Sequence, residues 1–140
     1  MRLDDKDHRI IEILRGNSRL SIREIARLTK IRPSTVHQRI QKLVKDGVIE
    51  RFTLKLNNKA IDENFIVFML VNTKRDIDAL FLKKKYVKEV FGVTGEYDLI
   101  LKLKFKDVEE FNQFVISFRK EQNVRETLTM VATANLKEEI

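Results

Sequence analysis

Between Ser34 and Lys45 the chain carries hydroxyls, amides and cations without one acid: Ser34, Thr35, His37, Gln38, Arg39, Gln41, Lys42 and Lys45, with Asp46 the first carboxylate. Amides and hydroxyls can read base edges, and lysines can neutralise phosphates. A helix surface that merely faces water interleaves Glu and Lys as i,i+4 pairs. The missing acids point to contact with duplex DNA. His37 has two readings, a surface residue or a base or phosphate contact. Arg39 sits at the edge of the apolar face, where it either ties the helix to its neighbours or reaches a phosphate. Neither His8 nor His37 has a second histidine on its helix, so no metal and no cofactor is expected.

These side chains need a helix to carry them, and the local signals supply one. Pro33 suits the first helical position, and Gly47 suits a left-handed terminator after Asp46. On a helical wheel Val36, Ile40, Leu43 and Val44 fall within about one quadrant, opposite Ser34, Gln38, Gln41 and Lys45. Two helices precede it. The first lies between Asp4 and Gly16, capped by Asp4, with Leu3, Ile10, Ile11, Ile13 and Leu14 mostly on one face. The second opens at Ser21 with Glu24 as its capping-box partner, buries Ile22, Ile25, Ala26 and Leu28, and gives out near Thr29-Lys30. Val48–Leu56, rich in β-formers, reads as a strand. Two short helices, a tight turn and a third helix with a polar outer face make a helix-turn-helix.

Charge supports the same division. The 140 residues hold 28 basic and 21 acidic side chains, a net of +7. Residues 1–56 carry 14 basic and 7 acidic groups, and residues 57–140 carry 14 of each. The whole excess therefore sits in the first unit, where a basic field captures polyanions. The absence of cysteine excludes disulfides, thiolate metal sites and a cysteine nucleophile. The longest apolar run, Phe65–Val71, is far short of a bilayer span. The charged start, Met1-Arg2-Leu3-Asp4-Asp5, lacks the apolar stretch of a signal peptide. A cytoplasmic protein without a membrane partner is expected.

After a polar stretch, Asn57–Asn64, the pattern becomes strands alternating with helices. Phe65–Thr73 reads as a strand buried on nearly both faces; Ile77, Leu80 and Phe81 mark a short helix ending in Lys83-Lys84-Lys85. Strands follow at Val87–Thr94 and Tyr97–Phe105, separated by a Gly95-Glu96 turn. Val108, Phe111, Phe114, Val115 and Phe118 line a second helix, and Arg125–Ala134 forms the last strand with Leu128, Met130, Ala132 and Ala134 towards the helices. The order is βαββαβ, a ferredoxin-like sheet with helices on one face. The other face, read as Val90, Ile100, Val131 and several threonines, is too apolar to stay wet, so self-association is expected. The fold class is α+β: a winged helix-turn-helix at 1–47, a strand and linker at 48–64, and the βαββαβ module at 65–140.

Four motifs in order carry a resemblance. Leu3-Asp4-Asp5-Lys6-Asp7-His8-Arg9-Ile10-Ile11 is similar to an LDxxDxxIL start, and Ile25-Ala26 to a helix-two signature. Val36-His37-Gln38-Arg39-Ile40-Gln41-Lys42-Leu43 matches VxxRIxxL and leads into Gly47-Val48-Ile49, while Gly95-Glu96-Tyr97-Asp98 matches GxYD. Over essentially its whole length the chain resembles the Lrp/AsnC family, the leucine-responsive or feast/famine transcription regulators. The resemblance implies a DNA-binding unit, an effector-sensing unit, homodimers that build tetramers, octamers or higher rings, and an amino-acid effector bound between dimers near GxYD. It marks Thr94, Gly95, Tyr97 and Asp98 as effector residues, with Thr127 and Thr129 of the last strand as weaker members.

Asp98 could accept a bond from an α-ammonium group, or could pair with Lys102 on the sheet. Two positions depart from the family. Arg32 stands where a serine cap is usual; it cannot accept the orphan N–H bonds, and it brings a charge to a phosphate or guanine. Asp62 stands where the family tends to have glycine. An enzyme is disfavoured by the lack of a histidine, cysteine or metal set near Glu96, Tyr97 and Asp98, and of a phosphate-binding glycine loop. The serious alternative to a ligand-responsive regulator is an architectural protein that coats DNA without an effector.

Overall fold

Asp4 and Ser21 each start a helix by a reciprocal cap. Asp7 N–H donates to the Asp4 carboxylate at 2.9 Å while Asp4 N–H donates to Asp7 at 3.1 Å; Glu24 and Ser21 repeat the exchange at 3.1 and 2.9 Å. Such caps satisfy helix N–H groups that have no intrahelical partner, at about 1 kcal/mol each. In the computed structural model, which describes residues 2–121 and 124–140, these helices are α1 (Asp5–Gly16) and α2 (Ile22–Thr29). The third, α3 (Pro33–Lys45), begins after Arg32 with no side-chain cap. It ends where Gly47 takes φ +75°, letting Val48 and Ile49 N–H both donate to Leu43 O at 2.9 and 3.1 Å. The chain divides into two units, Met1–Leu54 and Lys55–Ile140.

The first unit closes around Ile10, Leu14, Ile25, Ala26, Ile31 and Val36, with Ile13, Leu20, Ile22, Ile40 and Ile49 packed against them. Three expectations fail here. Leu28 and Val44 are 48% and 44% exposed, because each lies one wheel step outside the face that the neighbouring helices cover. The strand expected at Val48–Leu56 is absent: the segment begins as the closing turn of α3 and then runs without a ladder, leaving Phe52, Leu54 and Leu56 exposed. High β-propensity makes no strand without a partner edge, and the chain supplies none there.

In the second unit β1 (Phe65–Thr73), α4 (Ala79–Leu82), β2 (Val87–Gly92), β3 (Leu99–Phe105), α5 (Val108–Glu121) and β4 (Val124–Val131) give the βαββαβ order. The sheet runs β2-β3-β1-β4, antiparallel throughout. Val67, Met69 and Val71 of β1 and Leu101, Leu103 and Phe105 of β3 face the helices, where they meet Phe81, Phe114 and Phe118. The Phe118 ring lies 5.1 Å from both Phe81 and Phe114. Val108, expected in this core, is 52% exposed at the start of α5.

Register corrects the assignment of sheet faces. Met130 pairs with Phe68 and Leu128 with Leu70, so both stand on the open face and not against the helices; Ala132 follows the same side, and Ala134 lies beyond the strand. Conversely, Val131 pairs with Val67 and Val90 with Leu101, which puts both on the helix side. The open face holds Phe68, Leu70 and Ile100 together with Phe91, Leu128 and Met130, the last three 60%, 46% and 46% exposed.

The C-terminal segment is pinned to this face by charge. Glu138 accepts from Lys102 at 2.5 Å, Lys104 at 2.9 Å and Asn58 Nδ2 at 2.9 Å; Lys104 also donates to Asn58 Oδ1 at 2.7 Å, and Lys102 reaches Glu89 at 3.2 Å. Burial alone would raise the Glu138 carboxyl, but the bonds from Lys102, Asn58 and Lys104 outweigh it and hold the group well below the ordinary carboxylate range. Nearby, Asp62 adopts φ +58°, the left-handed backbone that glycine would supply and that aspartate tolerates better than most residues.

Candidate functional site

The outer face of α3 stands free. Ser34, His37, Gln38, Gln41, Lys42 and Lys45 are exposed, and Thr35 is half-buried at the start of the helix. Val36 and Leu43 on the opposite side are buried, so packing fixes the rotation of the helix and hence which groups face outward. Arg39 is held differently from its neighbours. Its guanidinium pairs with Asp4 at 2.5 Å and with Asp7 at 3.2 Å, the two residues that cap α1. The hydrogen bond from Arg39, with help from the Asp7 backbone N–H, lowers the Asp4 carboxyl from 3.8 to about 2. One acidic pair thus starts α1 and clamps α3 to it. Arg32 stands exposed at the uncapped N-terminus of α3, beside its unsatisfied N–H groups. An anion approaching this end would meet a guanidinium and the positive end of the helix dipole together.

In the second unit the GxYD segment connects β2 to β3. Gly95 takes φ +115°, where an L side chain would be strained. Asp98 binds the end of β1 through three bonds: its N–H donates to Val71 O at 3.0 Å and Asn72 Oδ1 at 2.9 Å, and its carboxylate accepts from Thr73 N–H at 3.3 Å. Asn72 in turn donates to Glu96 O at 2.8 Å. The pairing of Asp98 with Lys102 does not occur, because Lys102 belongs to the Glu138 and Glu89 cluster. The turn therefore has a fixed shape, and it presents Tyr97 to an open groove of about 410 Å³ lined by Tyr97, Arg119, Val124, Arg125, Glu126 and Thr127. Of the residues implied for effector binding, the groove gathers Tyr97 and Thr127. Thr94, Gly95, Asp98 and Thr129 do not line it.

Arg119, Arg125 and Glu126 were missed by sequence reasoning. Charges at a helix end and a strand start read as ordinary surface. The signal that could have found them is topological. Val71 pairs with both Leu99 and Thr127, so the starts of β3 and β4 flank the same end of β1 and bring the GxYD turn beside the first residues of β4.

Residues 3–50 match the family model described as winged helix-turn-helix DNA-binding, and residues 67–140 match the Lrp/AsnC ligand binding domain. The chain belongs to the Lrp/AsnC family. It is 35% identical over 133 residues to the HTH-type transcriptional regulator FL11 of Pyrococcus furiosus, covering 92% of this chain and 88% of the relative. The FL11 protein of Pyrococcus abyssi is 34% identical, with 97% and 93% covered. Two solved structures share the fold. A Neisseria meningitidis transcriptional regulator in complex with L-methionine superposes with a TM-score of 0.88 at 23% identity, covering 99% of this chain and 94% of that one. Escherichia coli AsnC does so with 0.87 at 22%, covering 100% and 98%. This Lrp/AsnC protein is accordingly a DNA-binding regulator of a ligand-responsive family of transcriptional regulators, not of enzymes. Among the described residues no helix is long and apolar enough to cross a membrane.

Proposed function

We propose that this Lrp/AsnC protein reads a specific operator with the outer face of α3 and that an amino acid bound at the Tyr97 groove alters its assembly or DNA affinity. The observation that carries the reading is the acid-free outer face of α3, rotated outward by a buried Val36 and Leu43 and anchored through Arg39. Gln38 and Gln41, with Ser34, Thr35 and His37, contact base edges; Arg32, Lys42 and Lys45 contact phosphates. Arg39 is a positioning residue. Two copies pair through the open sheet face around Phe91, Leu128 and Met130, which sets two α3 helices on half-sites roughly 34 Å apart. Effector sensing is supported by the rigid GxYD turn beside an open groove, and by a fold shared with a regulator solved with L-methionine.

The test is a titration of labelled operator, selected from a random duplex pool, with and without each of the twenty amino acids. Coupling of about 1–3 kcal/mol is expected, a 5- to 150-fold change in affinity for the amino acid that binds. Tight, salt-sensitive binding that no amino acid alters, on operator and random DNA alike, is the architectural outcome and overturns the proposal.

A further inference from the structure

We infer that the groove beside Tyr97 selects an amino acid with an acidic side chain, a reading that rests on the proposal that this groove is the effector site. The groove has two guanidiniums, Arg119 from the last turn of α5 and Arg125 from the start of β4, and one carboxylate, Glu126. Among the described residues neither arginine forms an ion pair or a side-chain hydrogen bond. Of the acids nearest in sequence, Glu121 reaches Lys84 at 3.8 Å, and Glu126, opposite Asn72 on the neighbouring strand, lines the groove without pairing with either arginine. Two guanidiniums against one carboxylate leave the groove net positive, and an anion between the arginines relieves their repulsion.

The charges also match a particular ligand. A dicarboxylic amino acid carries one ammonium and two carboxylates, against one carboxylate and two guanidiniums in the groove. Arginine forks hold carboxylates by two parallel N–H bonds, with a directional preference that lysine lacks. Glu126 takes the ammonium group. The Thr127 hydroxyl and the Tyr97 edge supply neutral contacts in the same groove. A branched apolar side chain would leave one guanidinium facing a methyl group, with its hydration lost and nothing in return. The groove volume of about 410 Å³ lies within the usual size of small-ligand sites.

Calorimetry of the full chain with L-glutamate, L-aspartate, L-glutamine, L-leucine and L-methionine tests this. One of the two acids should bind more tightly than glutamine by about tenfold or more, since glutamine has the shape of glutamate without the charge. Arg119→Gln and Arg125→Gln should each lower the glutamate-to-glutamine affinity ratio, and the double variant should bring it to about one. Both side chains are exposed, so the variants fold, and a merely structural role would not move that ratio. Glutamine binding as tightly as glutamate, or a preference for the acid that survives the double variant, overturns the inference. If leucine or methionine binds and shifts operator affinity while the acids do not, amino-acid sensing stands and acidic selectivity falls. If none of these five binds and none of the twenty amino acids alters operator affinity, both fall.

Discussion

Glu138→Ala should destabilise the second unit far more than its place near the end of the chain suggests. Its side chain is 10% exposed, and those of Lys102 and Lys104 are 16% and 11% exposed. Removing one partner from a buried pair costs about 3–5 kcal/mol, because the remaining charge is left desolvated. Here Lys102 keeps Glu89 at 3.2 Å and Lys104 keeps Asn58 at 2.7 Å, which lowers the cost to about 2–3 kcal/mol. In a domain of this size each kcal/mol moves Tm by about 4–8 °C, so a fall of about 10–20 °C follows. The chain has two tyrosines, Tyr86 and Tyr97, and no tryptophan, so tyrosine fluorescence reports the second unit alone. Replacing the three charges together, Lys102→Met with Lys104→Met and Glu138→Leu, should be close to neutral. The pH dependence has a definite sign. Glu138 lies below its ordinary 4.5, so its stabilisation is full above about pH 4.5 and fades as pH falls through the depressed value. Lys102 is raised above 10.5 by Glu138 and Glu89 despite burial, so its share persists below about pH 10.5 and is lost as pH rises through the raised value. A Tm drop under about 3 °C for Glu138→Ala at pH 7 refutes the reasoning.

Arg39→Met should return the Asp4 pKa from about 2 towards 3.8 in an NMR titration, and Arg39→Lys should restore only part of the shift because one ammonium cannot grip both carboxylates as a fork does. Because Asp4 is depressed, its contribution to the first unit is complete above about pH 4 and disappears as pH falls through about 2, which acid unfolding of that unit would show. Arg32→Ser supplies the missing cap of α3; unfolding by urea should show about 1 kcal/mol of added stability, and operator titration should show weaker binding. Gly47→Ala places a side chain at φ +75° and should cost the first unit about 1 kcal/mol in the same assay. Light scattering should find a dimer or larger species for the full chain and a monomer for Leu128→Glu with Met130→Glu; a monomeric parent chain at micromolar concentration contradicts the paired-sheet arrangement.

Features encoded within a few residues were legible in the sequence. The N-cap at Asp4, the capping box of Ser21, Pro33 at the start of α3 and the left-handed Gly47 each depend on neighbours within a few positions, whereas the reciprocal bond from Asp4 N–H to Asp7 emerged only in the structure. The face of β4 was not legible. Leu128 and Met130 alternate with Thr127, Thr129 and Val131, and both sets are apolar enough to be core. The larger set was assigned to the helices, whereas the β1 register turns it outward, and a shift of one residue moves a whole strand face. Val48–Leu56 had strand composition without a partner edge. The Glu138 cluster joins residues 80 apart, and an acid among lysines near a chain end reads as a solvated tail. At the candidate site the motif gave the turn and Tyr97, but Arg119 and Arg125 enter only through the topology of the sheet.

The central claim is that the outer face of α3 reads base sequence while its lysines hold the backbone. The direct measurement is the ratio of operator to random-duplex affinity, at one fixed salt concentration, for the parent chain and four variants. Gln38→Ala and Gln41→Ala should each reduce that ratio by about 5- to 150-fold, equivalent to about 1–3 kcal/mol, chiefly by weakening operator binding. Lys42→Ala and Lys45→Ala should weaken both duplexes alike, leave the ratio nearly unchanged and lower the salt dependence by about one phosphate contact each. If all four variants reduce operator and random binding by the same factor, α3 does not read the bases and the claim is wrong.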